Sequence, residues 1–190
     1  PEREDHAGLR PQQKARIDLC CGASIGNANA PQSGRGGGGV TQAEKEYWMK
    51  TTPAKFLIVD DDKVSVMAMQ RAMRKLKIVN ETAVCHDGQH ALEFLAEEVK
   101  RHGRLPPYIV TLDLNMPRMG GLEFLEVVRA DPALERMGVF VFTTSDMPTD
   151  VQSAYSKNVA GYIVKENPSE TFANALGMLN AYSRIVELPA

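Results

Sequence analysis

From about Ala54 onward, short unbroken apolar runs alternate with longer stretches in which apolar residues return every three or four positions. Phe56-Leu57-Ile58-Val59 reads as a buried strand, and Val64 to Leu76 as a helix with Val64, Met67, Ala68 and Ala72 on one face. Thr82-Ala83-Val84-Cys85 is a second short strand. Gln89 to Val99 then repeats Ala91, Leu92, Leu95, Ala96 and Val99 at helical spacing. Tyr108-Ile109-Val110-Thr111-Leu112 is a third strand, and Leu122 to Val128 a third helix that stops near Asp131-Pro132. Val139 to Phe142 is an unbroken apolar strand, after which Pro148 opens a helix at a position where a missing N–H does no harm. Gly161-Tyr162-Ile163-Val164 is a fifth strand. Asn167-Pro168-Ser169-Glu170 then offers a cap, a proline at the first helical position and a glutamate three residues after the cap, ahead of a last helix running to about Val186.

Five strand–helix units with continuously apolar strands imply a parallel sheet covered on both faces by helices. Right-handed crossovers leave few topologies, and a doubly wound α/β sheet is the simplest. In such sheets function sits at the carboxyl ends of the strands.

Residues 1–50 lack this pattern. They hold the run Gly34-Arg35-Gly36-Gly37-Gly38-Gly39 with scattered Asn, Gln and Pro, too little apolar surface to offset the entropy of ordering. We read them as a disordered or flexible leader, with Tyr47-Trp48 where packed structure starts. No strand precedes the glycine run, so it is not a dinucleotide loop. Residues 54–188 form the folded domain.

Composition narrows the function. Of 190 residues 43% are hydrophobic, the net charge is −2, and the basic residues are dispersed, which argues against nucleic acid as a partner. No run approaches the length of a membrane span, and the first residues lack the apolar core of a secretory signal, so a cytoplasmic protein is expected. The three cysteines, Cys20, Cys21 and Cys85, have no metal-ligand spacing and read as reduced thiols.

The strand ends carry the chemistry. Asp60-Asp61-Asp62 follows the first strand, Asp113-Leu114-Asn115 the third, Thr143-Thr144-Ser145 the fourth and Lys165 the fifth. Two carboxylates about 4 Å apart repel by roughly 4 kcal/mol at an effective dielectric near 20, so such a cluster needs a cation. Hard oxygen ligands with open positions suit Mg²⁺. A carboxylate beside that ion can act as a nucleophile toward a phosphoryl group, with an ammonium and a hydroxyl to neutralise the other oxygens. Taken singly, each residue has a plainer reading: Asp62 as a helix cap, Asp113 as a turn cap, Thr143 as a strand residue, Lys165 as a solvated strand end. Together, in this order, they do not read as coincidence.

The strings Phe56-Leu57-Ile58-Val59-Asp60-Asp61-Asp62, Leu112-Asp113-Leu114-Asn115-Met116-Pro117-Arg118-Met119-Gly120-Gly121, Phe142-Thr143-Thr144-Ser145 and Gly161-Tyr162-Ile163-Val164-Lys165 resemble the receiver domain of two-component response regulators. The resemblance implies a flavodoxin-like strand order 2-1-3-4-5. It implies that Asp113 accepts phosphate from a histidine kinase, that Asp60, Asp61, Asp113 and the Asn115 carbonyl serve Mg²⁺, with Asp61 a direct ligand, and that Thr143 and Lys165 pair with the phosphoryl group. Tyr162 would be the aromatic switch. The second helix region ending at Pro106-Pro107, Ala130-Asp131-Pro132-Ala133-Leu134, the Thr-Thr-Ser triple and the tail Ile185-Val186-Glu187-Leu188-Pro189 resemble stand-alone regulators paired with phytochromes. That narrower likeness implies a bacterial phosphoacceptor without a DNA-binding output domain, not an enzyme in the usual sense, whose partners are a phytochrome-type kinase and a second copy of itself. The apolar tail suits either such a homodimer or packing on its own domain.

Two departures stand out: Glu166 follows Lys165 where the family usually has proline, and Gly120 replaces an aspartate. Neither removes a ligand. A haloacid-dehalogenase-type phosphatase would need an acid where Asn115 stands. The remaining alternatives are a receiver-shaped interaction module that is never phosphorylated, and a metal site at Cys85-His86-Asp87 with His90.

Overall fold

The central hydrophobic runs are buried from both sides, and the two edge runs are half-buried. In the computed structural model, which describes residues 53–166, 168–186 and 188–189, the elements are β1 (Lys55–Val59), α1 (Lys63–Lys75), β2 (Thr82–Cys85), α2 (Gly88–His102), β3 (Tyr108–Leu112), α3 (Gly121–Ala130), β4 (Gly138–Thr143), α4 (Pro148–Ser156), β5 (Gly161–Val164) and α5 (Pro168–Ile185). The strands pair in parallel in the order β2-β1-β3-β4-β5. This is the doubly wound, flavodoxin-like arrangement expected. The leader, the glycine run, Cys20, Cys21, Tyr47-Trp48, Asn167 and Glu187 lie outside the described residues.

Alternate side chains of each strand enter opposite cores. Leu57, Val59, Val110, Leu112, Val139 and Val141 pack with Ala91 and Leu95 of α2, Phe124, Leu125 and Val128 of α3, and Ala154 of α4. Phe56, Ile58, Ile109, Phe140 and Phe142 pack with Val66, Met69 and Met73 of α1 and Phe172, Leu176 and Leu179 of α5. Each fully buried Leu, Ile or Phe contributes about 1.5–3 kcal/mol, so these two layers hold the strand ends rigidly in place.

The helix starts follow local chemistry. Asp62 caps α1 by accepting the Val64 and Ser65 N–H groups, Asp87 caps α2, and Pro148 sits in the first turn of α4. Two expected faces are corrected. On α1, Val64 is 73% exposed and Met67 53% exposed, while Val66, Met69 and Met73 face the core. On α2, Ala96 is exposed and Glu98 is buried in its stead. In the tail, Leu188 packs on its own domain whereas Ile185 and Val186 are exposed. No helix among the described residues is long and apolar enough to cross a membrane.

Candidate functional site

Backbone hydrogen bonds continue the strand ladder one residue past the strands and so set the level of the site. The Asp60 N–H donates to the Cys85 carbonyl at 3.0 Å, the Asp113 N–H to that of Val59 at 2.9 Å, and the Lys165 N–H to that of Thr143 at 2.8 Å. Residues from β1, β3, β4 and β5 are thereby brought to one edge. Asp60, Asp113, Thr143 and Lys165 are all buried.

The Lys165 ammonium lies between the carboxylates, 2.7 Å from Asp60 Oδ2 and 3.1 Å from Asp113 Oδ1. Each carboxylate turns its other oxygen to the backbone two residues on: Asp60 Oδ1 accepts the Asp62 N–H and Asp113 Oδ2 the Asn115 N–H, both at 2.9 Å. Burial raises the Asp60 carboxyl above its ordinary value, although Lys165 and the Asp62 N–H pull it down. Burial acts to lower Lys165 as well, but its bonds and charge attraction to Asp60 and Asp113 outweigh it and raise the ammonium's pKa. Two acids and one ammonium leave one uncompensated negative charge in a low-dielectric place, where its cost is high.

That surplus and the hard oxygen donors fit a divalent cation such as Mg²⁺. Among the described residues no three His, Cys, Asp or Glu side chains converge as a ready metal cage. Mg²⁺ does not need one, because it is held by one or two carboxylates with water and phosphate oxygens. Asp61, next in the chain to Asp60, is exposed, and so is Asn115, whose N–H donates to Asp113. The structure thus brings Asp60, Asp113 and Lys165 into contact, while Asp61 and Asn115, their near neighbours in the chain, are exposed.

A second set of contacts leads away from the edge. The fully buried Thr143 hydroxyl accepts the Ser145 N–H at 3.3 Å, and the Tyr162 hydroxyl donates to the Ser145 carbonyl at 3.0 Å. Burial, above all, raises the Tyr162 phenol. Ser145 Oγ also donates to Asp150 in the first turn of α4. Asp150 was not foreseen as part of this set; its place two residues after the helix-opening Pro148 is the signal that could have found it.

The Cys85-His86-Asp87-His90 cluster is otherwise employed. Cys85 is buried and its thiol is pushed up to about 12, by burial first and Asp87 second. Asp87 caps α2 through the His90 N–H and pairs with Arg118, a contact that sequence reasoning missed. His86 Nδ1 lies 3.4 Å from the Asp60 carbonyl oxygen.

Comparison with known proteins gives the family and the fold. Residues 56–176 match the response regulator receiver domain family. The chain is 31% identical over 139 residues to the response regulator Rcp1 of Synechocystis sp., covering 73% of this chain and 95% of that protein. The crystal structure of the Mn²⁺-bound form of Rcp1 superposes with a TM-score of 0.63 at 30% identity, over 73% of this chain and 99% of the other. That of the phosphorylated cyanobacterial phytochrome response regulator RcpA gives 0.64 at 28% identity, over 74% and 100%.

Proposed function

The chain belongs to the response regulator receiver family, and from that premise we propose that Asp113 is its phosphoacceptor, charged by a histidine kinase. Receiver domains are phosphoacceptors that use Mg²⁺. The observation that carries the assignment to Asp113 is the Lys165 ammonium held between Asp60 and Asp113 at the carboxyl edge of the sheet.

An Asp113 carboxylate oxygen attacks the phosphorus of a phosphohistidine. An O–P bond forms, the P–N bond breaks, and the departing imidazole nitrogen keeps the electron pair and takes up a proton. Lys165 is already at Asp113 and meets the incoming phosphoryl oxygens, and the Thr143 hydroxyl takes another after releasing Ser145. Transfer of this kind asks the protein mainly for positioning and neutralisation. Asp60, Asp61, Asp113 and the Asn115 carbonyl would hold Mg²⁺, which would supply the charge neutralisation that Lys165 alone leaves incomplete. The phosphoryl group brings about −1.5 to −2 charge. Thr143 drawn toward it frees the space behind it for Tyr162, and the surface of α4, β5 and α5 changes its packing.

On this reading the receiver domain spans residues 54–188 and works in the cytoplasm. It passes its state to a protein partner rather than to nucleic acid. Likeness to phytochrome response regulators favours a phytochrome-type kinase. The exposed Ile185 and Val186 at the end of α5 favour a homodimer.

The test is intact mass after incubation with acetyl phosphate and Mg²⁺, for the wild type and Asp113→Asn. One added phosphoryl group in the wild type only is expected. No adduct with this donor or with a panel of histidine kinases would leave an unphosphorylated interaction module. An adduct persisting in Asp113→Asn would move the acceptor to another residue.

A further inference from the structure

The loop from β3 to α3 carries Asp113 and Asn115, and its backbone is held in a conformation that side chains resist. Arg118 has φ +66°, in the left-handed region that a residue with a Cβ keeps only when its surroundings enforce it. The start of α2 packs against the loop. The Arg118 guanidinium pairs with Asp87 Oδ2. Asp87 Oδ1 is fixed in turn by the His90 N–H at 2.9 Å, and the Gly88 N–H donates to the Met119 carbonyl at 3.1 Å. A Cβ on Gly88 would stand 2.7 Å from Met119 Cγ, so glycine is what lets the loop lie this close. The other end is closed as tightly: the Gly121 N–H donates to the Leu114 carbonyl at 2.9 Å, and a Cβ there would stand 2.3 Å from the Asp113 carbonyl oxygen.

The two partners are unequally placed. The Asp87 side chain is 2% exposed and that of Arg118 68%. An inner anchor belonging to α2 is therefore gripped by an arm reaching across the surface from the loop. Burial pushes the Asp87 carboxyl up, but the His90 N–H and Arg118 together bring it below its ordinary value, so the anchor stays charged.

We propose that the Asp87–Arg118 pair is a positioning latch for the β3–α3 loop, holding the main chain at Asn115 and the carboxylate of Asp113 where a divalent cation and a phosphoryl group use them. Neither residue touches the reacting atoms; both act through the loop. The consequence for phosphorylation rests on Asp113 being the acceptor, whereas the latch itself does not.

The test uses the full chain with Arg118→Ala, Arg118→Gly and Asp87→Asn. The glycine variant removes the arm while relieving the left-handed backbone, and the asparagine variant keeps a cap for α2 while removing the charge. Three quantities are read: amide exchange of residues 113–121, the half-saturating MgCl₂ concentration by calorimetry, and the rate of phosphorylation by acetyl phosphate against Mg²⁺ concentration. Faster exchange confined to the loop is expected in all three variants. Outer-shell contacts of this kind typically change metal affinity by about 10-fold or more, so half-saturation should rise by about that factor, with the phosphorylation rate recovering at high Mg²⁺. A purely structural pair would lower the thermal midpoint and leave loop exchange and Mg²⁺ half-saturation where they were, which would overturn the proposal. So would an Arg118→Gly protein that behaves as wild type while Arg118→Ala does not, because backbone strain alone would then account for the effect. If wild type takes no phosphoryl group, the acceptor reading fails, and exchange with calorimetry still decides the latch.

Discussion

Asp60 is the residue on which burial and charge are most opposed. Its carboxyl is raised by burial, which Lys165 only partly offsets. A carboxyl that holds its proton more tightly folded than unfolded costs stability at neutral pH, and that cost disappears as pH falls through the folded value. Asp60→Asn should therefore raise the thermal midpoint at pH 7, with Lys165 still able to donate to the amide oxygen. The gain should shrink on acidification toward the ordinary carboxyl value of 3.8. MgCl₂ should raise the midpoint of the wild type more than that of the variant, because the surplus negative charge it would neutralise is already gone. Scanning calorimetry of both proteins from pH 7 to pH 4, with and without Mg²⁺, measures this. A variant less stable than wild type at pH 7 would mean that the ion pair outweighs burial.

Elements show where hydrophobic pattern is sufficient and where it misleads. In α1, Met69 is fully buried under β1 and β3 while Met67, two residues before it, is 53% exposed. Met69→Ala should cost about 2–5 kcal/mol in urea unfolding, and Met67→Ala no more than about 0.5 kcal/mol. Equal effects would show that the face of α1 is wrongly assigned. All five strands were legible because a parallel sheet covered by helices keeps its strands predominantly apolar, with a threonine as the usual polar intruder, as at Thr111 of β3. The face of α1 was not, because Val64 and Met67 repeat at helical spacing just as Met69 and Met73 do, and spacing does not say which stripe meets the sheet. Glu98 was hidden for a different reason. Its partners come from other elements: Tyr108 Oη at 2.8 Å from β3 and Lys55 Nζ at 3.4 Å from β1, with Arg101 and His102 from its own helix. Burial pushes Glu98 up, yet Tyr108, Lys55 and His102 carry it below the ordinary 4.5. The stability it supplies is present above pH 4.5 and lost as pH falls through the folded value. Glu98→Gln should therefore flatten the acid limb of the stability curve below pH 4.5, and an unchanged acid limb would remove Glu98 from acid unfolding.

At the scale of the molecule, the sheet gathers residues more than a hundred positions apart, such as Asp60 and Lys165, onto one edge. That edge was readable because a doubly wound topology obliges strand ends to converge whatever the loops do. The links leading outward were not readable. Ser145 to Asp150 and Asp87 to Arg118 depend on how loops lie against helix starts, which topology leaves open. The outward link through Tyr162 is the one that would make phosphorylation visible to a partner. Its hydroxyl reaches the Ser145 carbonyl, Ser145 reaches both the Thr143 hydroxyl and Asp150, and Asp150 belongs to α4. On the proposed mechanism, moving Thr143 breaks its bond with the Ser145 N–H and leaves the Tyr162–Ser145 and Ser145–Asp150 bonds in place, so the aromatic ring would decide whether α4 follows. Tyr162→Ala should leave the phosphorylation rate at Asp113 unchanged, since the Tyr162 hydroxyl bonds the Ser145 carbonyl rather than a member of the Asp60–Lys165–Asp113 trio. Phosphorylation should alter amide exchange across residues 144–156 and 161–164 in the wild type, and only next to Asp113 and Thr143 in the variant. Equal long-range changes in both proteins would assign the coupling to Ser145 and Asp150 instead, because they alone would then connect the buried hydroxyl to α4.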